Sequence, residues 1–520
     1  MVVDNLDHVI VSNVILGADT IVTDNQIFPE TYSFTPNSDF FLAKYNSGGS
    51  LVWLKTILGE SDCGSLDLDV DNEGNIYVGG IMQNSINVDG TLIERPTESL
   101  PQPGYFILKF NPQGQLQWYH KGDYKSSRCY RLAWTGTELA FVLPYSDSVE
   151  IGGEVFYSDG DSFLQDMVLG KLDSDGNLIS AVNIGGEGNV EIHALECDAQ
   201  GCILQGRFDQ ELSYDGVTVT TPAELHFELY QLSIAADFSL NWLNASQSLA
   251  GIDPRAYGLG LSEDGHAYFS GNYWNSSFVL GDVQLPLPNE SDFFVGKLGR
   301  SDGAISWLKR GSGMSFEGSS SLITANNSIK VAGTFYSETM DYEGISFVNS
   351  PDEENDGFLL SLELDGKVKC GFSLAGIGQN GILRMDAFAN GFISVLGYFN
   401  GTIELDSEVY TAQGNYDLLI TKTCLPCDTV TSISENLTTT TSISIYPNPA
   451  SQSVRLEVAG SHALAMGITI TDLLGHAVLS LPFGAVGEAI NISNLANGIY
   501  TISATIQSRE TLRQRLVVQH

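Results

Sequence analysis

The sequence predicts an all-β protein, a seven-bladed β-propeller over residues 1–427 followed by a small immunoglobulin-like β-sandwich over residues 442–520. Three observations predict it. A strand motif recurs seven times at near-constant spacing. Turn signals separate short apolar runs that show no helical periodicity. The composition changes abruptly after Cys427 before β patterning resumes.

The repeat begins as Asp-aromatic-apolar-x-x-Lys at Asp39 to Lys44 and returns with substitutions at Gly104, Asp166, His226, Asp292, Asp356 and Asp417. The spacings of 65, 62, 60, 66, 64 and 61 residues give seven units with a period near 63. A turn and a second strand follow, as in Asn46 to Trp53, Asn111 to Trp118 and Arg300 to Trp307, where a Gly makes the turn and Leu or Ile alternates with Trp. A third strand, Ser65 to Val70, leads through Asp71-Asn-Glu-Gly74 into a fourth, Asn75 to Gly80, with relatives ending at Gly271, Gly333 and Gly397. Units this short cannot bury two faces alone, so they are expected to close radially around an axis.

The chain ends suggest how closure occurs. Residues Asp4 to Asn13 align with Asp71 to Gly80, while the last unit, at Asp417 to Lys422, has one strand and little after it. The N-terminus is therefore expected to supply the fourth strand of blade seven, zipped against the C-terminal strand. On this register Met1 falls inside a third strand, and the chain is expected to lack an N-terminal signal and one or two strands. At these repeats residues 1–427 resemble the bacterial propellers of the quinoprotein-like and related seven-bladed superfamily, a likeness that implies architecture rather than activity.

Residues 428–441 are dominated by Thr and Ser and read as a flexible linker, and Asp428-Thr429-Val430 is similar to a short bacterial O-glycosylation acceptor. Seven short alternating strands follow between Ser442 and Val518. This tail opens with Tyr446-Pro447-Asn448-Pro449, turns at Asp472-Leu-Leu-Gly475, continues through Leu495 into Gly498-Ile499-Tyr500, and ends basic and apolar. Those motifs resemble the type A C-terminal sorting domain of the type IX secretion system. The resemblance implies recognition by the translocon and sortase, cleavage of the tail, and a cargo released or held at the outer cell surface. The ending Gln519-His520 departs from the family's terminal Lys.

With 63 acidic against 24 basic residues, the net charge of -39 disfavours nucleic acid as a partner, because phosphate contacts need Lys and Arg. No run of eighteen apolar residues is present to span a membrane as a helix. Gly376-Ile-Gly378-Gln-Asn-Gly381 satisfies a dinucleotide fingerprint but lacks a βαβ context. The segment Asp69 to Gly74 mimics half a calcium loop yet has Gly80 where a bidentate Glu is required, so no cofactor is expected beyond adventitious calcium. Arg300-Ser-Asp-Gly303 resembles a sialidase aspartate box and reads as an ordinary turn. His8, His120, His193, His226 and His266 show no zinc spacing.

Cys197 and Cys202 flank a tight turn and are disulfide candidates, as are Cys424 and Cys427, with Cys370 a further partner at the position other units give to Trp. These residues predict a non-catalytic binding or adhesion module for a glycan or surface protein, with Tyr273-Trp274-Asn275 and the insertion from Asn87 to Gly104 as projecting elements. A structural spacer is the alternative reading. An exported hydrolase or quinoprotein-like oxidoreductase would need a titratable cluster that the sequence does not identify.

Overall fold

The computed structural model describes residues 1–16, 21–23, 26–28, 38–95, 103–123, 130–159, 164–221, 226–248, 253–274, 276–350, 354–374, 376–405, 408–412, 414–423, 425, 442–446, 450–459, 465–471, 477–482, 489–496, 498–506 and 511–519. These residues form an all-β protein without a helix. The chain divides into two compact units, Met1–Thr429 and Val430–His520.

The first unit is a succession of antiparallel sheets. The first sheet orders Val2–Val3, Val9–Leu16, Ser38–Tyr45 and Leu51–Gly59. The second orders Cys63–Val70, Ile76–Met82, Gly104–Phe110 and Leu116–Asp123. The same four-strand order recurs within 131–184, 190–245, 255–312 and 317–374. A seventh sheet holds three described strands, Asn380–Ala387, Ile393–Phe399 and Asp417–Thr423. Third strands such as Gly104–Phe110, Asp166–Leu172 and Asp356–Leu362 are buried at every residue, which is why their sequences run apolar without alternation.

The N-terminal zip does not occur. Val9–Leu16 pairs with Ser38–Tyr45 inside the first sheet, with Ile15 opposite Asp39, and Asp417–Thr423 pairs with Ile393–Phe399. The alignment of Asp4 with Asp71 nevertheless holds. Asp4 Oδ1 accepts from the Leu6 and His8 N–H groups at 2.9 Å, as Asp71 Oδ1 does from Glu73 and Asn75. The error lay in phase, because a periodic sequence does not say which strand begins a sheet. The Asp39 strand is third in its sheet, where it follows strands from its own stretch of chain.

Glycine in the second strand has a positional reason. The leading strands of the second, fourth, sixth and seventh sheets each carry an irregularity opposite Gly80, Gly206, Gly333 and Gly397. There the carbonyls of Gly64, Glu191, Gly318 and Gly381 lie within 2.6 Å of where a Cβ would sit. The extra residue of three of these bulges is His193, Ser320 or Leu383. His193 Nδ1 accepts from the Ala256 N–H of the next sheet at 3.2 Å, and Ser320 Oγ donates to the Ile382 carbonyl at 2.5 Å.

Leading strands, which would otherwise present unpaired edges, are tied in this way from sheet to sheet. Asp67 and Asp69 accept from the Leu132 and Trp134 N–H groups, Arg131 donates to the His193 carbonyl, and Thr324 donates to Leu261. Ser321 accepts from Met385, and Val3 of the first sheet donates to Asp386 of the seventh at 2.6 Å. Val9, Val11, Phe41 and Ala43 of the first sheet share a core cluster with Phe388 and Leu396 of the seventh.

Fourth strands are clipped to the following sheet by tryptophan. Trp53, Trp118, Trp242 and Trp307 donate Nε1–H to the carbonyls of Pro112, Ser174, Arg300 and Leu364 at 2.8 to 3.3 Å. Each ring lies against the turn glycine of that next sheet, Gly114, Gly176, Gly303 or Gly366, whose positive φ and missing Cβ make room. Cys370 stands at this position in the sixth sheet and is disulfide-bonded to a residue outside the described ones.

Hairpins between second and third strands complete each repeat, for example Ser85–Val88 with Thr91–Glu94 and Thr339–Tyr342 with Ile345–Val348. They lean on the fourth strand of the preceding sheet, as where Leu58 pairs with Asn87 and Gly311 with Tyr342. Their tips place two successive residues at positive φ, as at Asp89-Gly90, Asp215-Gly216 and Glu343-Gly344, the geometry that a two-residue turn between twisted strands requires.

In the second unit, Ser442–Tyr446, Ser453–Ala459 and Ala489–Asn491 form one sheet. Ala477–Pro482, Ala465–Thr471, Gly498–Ile506 and Thr511–Val518 form another. Val454, Ile470, Ile490, Ile492, Tyr500, Ile502, Leu516 and Val518 share one core.

Candidate binding site

The motif residues that define the repeat are consumed by folding. Lys44 pairs with buried Asp4 at 2.8 Å, Lys109 donates to the Ser174 carbonyl, and Lys297 pairs with Asp264. Asp39 accepts from the Gly59 N–H, and Asp356 accepts from Asn380 Nδ2 and from Ser350. Both carboxylate oxygens of Asp71 are engaged within its own turn, by Glu73, Asn75 and Tyr77. The Arg300 to Gly303 segment is a hairpin turn in which Asp302 accepts from the Ala304 N–H. The Gly376 to Gly381 segment joins the sixth and seventh sheets and enters the strand at Asn380, with no helix to receive a phosphate. Among the described residues no group of three or more His, Cys, Asp or Glu is arranged to hold a metal ion.

What remains is found where the repeat lapses. In four sheets the residue at the end of the second strand donates its N–H to the carbonyl just before the leading strand. The pairs are Gln83 with Asp62, Asp209 with Asn189, Tyr336 with Phe316, and Asn400 with Gln379. Three pairs are polar, so nothing in the packing of the repeat requires the aromatic pair of the sixth sheet. Trp274 occupies the same position in the fifth sheet, following Tyr273 opposite Asp292 as Tyr336 follows Phe335 opposite Asp356. Phe316 is 39% and Tyr336 42% exposed, and Met314 beside them is 76% exposed. Trp274 is half-buried and lies 6.5 Å from Phe316, whose ring stands edge-on to Tyr336 at 6.0 Å.

Charged groups border these rings. The Arg255 guanidinium sits 5.2 Å from the Trp274 ring centre, an attraction between cation and π face. Arg255 pairs with Asp253 at 3.5 Å, and Asp253 also pairs with Arg207. Arg207 is held in turn by both oxygens of Glu191 at 2.8 and 3.0 Å and lies over the Phe227 ring. Arg255 Nε is buried and makes no hydrogen bond among the described residues.

Of the projecting segment expected from the sequence, Tyr273 is fully buried against Phe278 and Phe294, Trp274 reaches the surface, and Asn275 lies outside the described residues. The repeat register was the signal that would have singled out Phe316 and Tyr336, which the sequence reading passed over.

Beneath this patch the loop carrying Met314 and Ser315 is pinned by one hydroxyl. Ser337 Oγ accepts both of their N–H groups at 2.7 and 2.8 Å and donates to the buried Glu317 carboxyl. Burial, with Asp292 close by, pushes Glu317 up to about 7, while Ser337 and the Gly313 N–H oppose the shift. Arg310 holds Asp292 at 2.8 Å.

A second group of carboxylates lies on leading strands, where Asp69 is pushed up to about 7, chiefly by burial. Glu196 is raised well above its ordinary value by burial and by Asp69, Asp386 and Asp67, so acids from the second, fourth and seventh sheets face a common space. Between the fourth and fifth sheets a cleft of about 830 Å³ is lined by Asp198, Gln200, Ser262, Glu263 and Arg300. Cys202 lies in its wall and is disulfide-bonded to Cys197, with Cα atoms 4.1 Å apart. Arg300 pairs with Asp198 at 2.7 Å. Cys424 and Cys427 lie outside the described residues.

In the tail, Tyr446 ends its strand, Leu495 packs on the core, and Gly498, Ile499 and Tyr500 open the strand Gly498–Ile506. The Tyr500 hydroxyl donates to the Ala496 carbonyl at 2.9 Å. Pro447, Asn448, Pro449, Asp472 and Gly475 lie outside the described residues.

No curated protein matches the chain. Among solved structures, an apocarotenoid oxygenase from Synechocystis aligns at 10% identity and a TM-score of 0.33, covering 68% of this chain and 71% of that one. A puromycin hydrolase aligns at 11% identity and 0.34, over 72% and 50%. The extracellular domain of a one-component system from B. thetaiotaomicron aligns at 11% identity and 0.16, over 96% and 90%. Likenesses this slight carry no inference about activity. Residues 444–519 match the secretion system C-terminal sorting domain, and this tail marks the protein for export by the type IX system to the cell surface or extracellular space.

Proposed function

We propose that this protein is a non-catalytic binding or adhesion module displayed outside the cell, a seven-bladed propeller carried by an immunoglobulin-like sorting sandwich. The observation that carries the binding role is the run of Trp274, Phe316 and Tyr336 at positions where the second, fourth and seventh sheets place polar residues. A scaffold with no ligand has no reason to expose three neighbouring rings, whereas recognition surfaces favour them for their large, rigid contact area. Radial closure is supported by the ties between leading strands, which return from the seventh sheet to the first through Asp386 and Val3. The sorting domain supplies the contact with the translocon, and in this reading with a sortase that removes it. The tethered or released propeller then acts through the aromatic face, its partner a glycan or a surface protein.

A glycan and matrix-protein array probed with the purified 520-residue chain tests the reading. A specific signal lost on replacing Trp274 and Tyr336 together supports it. Silence, or a signal indifferent to that replacement, favours the structural spacer.

A further inference from the structure

We infer that the aromatic face of the fifth and sixth sheets is a site for a neutral saccharide, a step that rests on the binding role proposed above and names its ligand class. The rings provide apolar surface for the C–H faces of a pyranose, and beside Trp274 runs a chain of donors and acceptors. That array is Glu191, Arg207, Asp253 and Arg255, linked in sequence by ion pairs. Two carboxylates and two guanidiniums sum to zero charge within the array, while Glu290 accepts from Ser315 next to Phe316.

This local neutrality contrasts with a chain of net charge -39. A polycation would find stronger attraction almost anywhere else on the molecule, and a polyanion would be repelled by the whole. An uncharged ligand loses nothing by choosing this patch. Adjacent carboxylate and guanidinium groups suit vicinal hydroxyls, since one hydroxyl can donate to Asp253 while its neighbour accepts from Arg255. An apolar protein surface would desolvate Asp253 and Arg255, the two members of the array that are still partly exposed, at a cost that the three rings would have to offset.

The test uses the full chain and panels of neutral hexasaccharides of glucose, mannose, xylose and galactose. Binding is read by isothermal calorimetry and by quenching of tryptophan fluorescence. A hit is expected to weaken about tenfold or more in Trp274→Ala and several-fold in Tyr336→Ala and Asp253→Asn, and to hold its affinity between 50 and 500 mM NaCl. Because Trp274 is half-buried, Tyr336→Ala, which removes an exposed ring, guards against a folding defect. Absence of any saccharide binding overturns the inference, as does a hit that both ring variants leave unchanged. If the chain instead captures a surface protein through the same residues, the binding role survives and the saccharide class falls. If neither class binds, both readings fall.

Discussion

Replacing Glu317 by Gln should make the protein more stable at alkaline pH and leave it nearly unchanged at acidic pH. Glu317 is fully buried, one carboxylate oxygen accepts from Ser337, and the other has no hydrogen-bond partner among the described residues. Burial and the nearby Asp292 raise its pKa from 4.5 to about 7, so the fold favours the protonated form. The sign follows directly. Below pH 4.5 both folded and unfolded chains hold the proton and nothing is lost. As pH rises towards 7 only the unfolded chain releases it freely, and the folded state is penalised. A lift from 4.5 to about 7 is worth about 3 kcal/mol above pH 7. Glutamine keeps the acceptor for Ser337 and removes the charge that burial and Asp292 disfavour. Urea denaturation at pH 5.0 and 8.5 reads the difference. The variant should exceed the wild type by about 1 kcal/mol at pH 5.0, where the unfolded carboxyl is already mostly ionised, and by about 3 kcal/mol at pH 8.5. Equal destabilisation at both pH values would refute the reasoning, because it would mean that the carboxylate is ionised and paired in the native state.

The tie between the first and seventh sheets should be measurable at one amide. Asp386→Ala removes the acceptor of the Val3 N–H and should cost about 1 to 3 kcal/mol, with faster hydrogen exchange at Val3 and little change at core strands; unchanged exchange there would contradict the tie. Trp242→Ala should lose about 3 to 5 kcal/mol, and Trp242→Phe less, since the ring packing is largely kept and mainly the bond to Arg300 goes; urea midpoints rank the two. Deleting residues 430–520 should leave Met1–Thr429 folded by circular dichroism but retained inside the cell envelope on fractionation, and secretion of the truncated chain would remove the tail's sorting role.

Much of the fold was legible because it is repetitive. The 63-residue period, the turn glycines and the apolar third strands follow from the sequence, and the Trp positions that clip neighbouring sheets could be aligned before their partners were known. Phase was not legible. Asp4 to Asn13 aligns with Asp71 to Gly80 whether the first sheet closes on itself or borrows from the seventh, and only the pairing of Ile15 with Asp39 decides between them. The hairpins at Asp89-Gly90, Asp215-Gly216 and Glu343-Gly344 carried a plain turn signal, but their short strands were absorbed into loops because the third-strand motif dominated the repeat. The candidate site was half visible. Trp274 stood out as an aromatic, while Arg255 meets it only through the folding of its own sheet.

A repeat protein separates structural from functional residues more sharply than a single-core domain can, because each position is tested several times within one chain. Where several sheets share a solution, as with the turn glycine under a neighbouring Trp in four of them, the residue answers to packing. Where several solutions agree and one or two differ, the exception must be compensated locally or serve something outside the fold. Cys370 belongs to the first kind, since a covalent bond stands where four sister sheets use a Trp clip. Phe316, Tyr336 and Trp274 belong to the second, because no core cluster includes them and polar residues satisfy the same backbone bonds elsewhere. Replacing Phe316 and Tyr336 by the Gln379 and Asn400 of the seventh sheet should therefore leave stability within about 1 kcal/mol while abolishing ligand binding. A loss of several kcal/mol in urea denaturation would assign the rings to packing and remove the basis for the site.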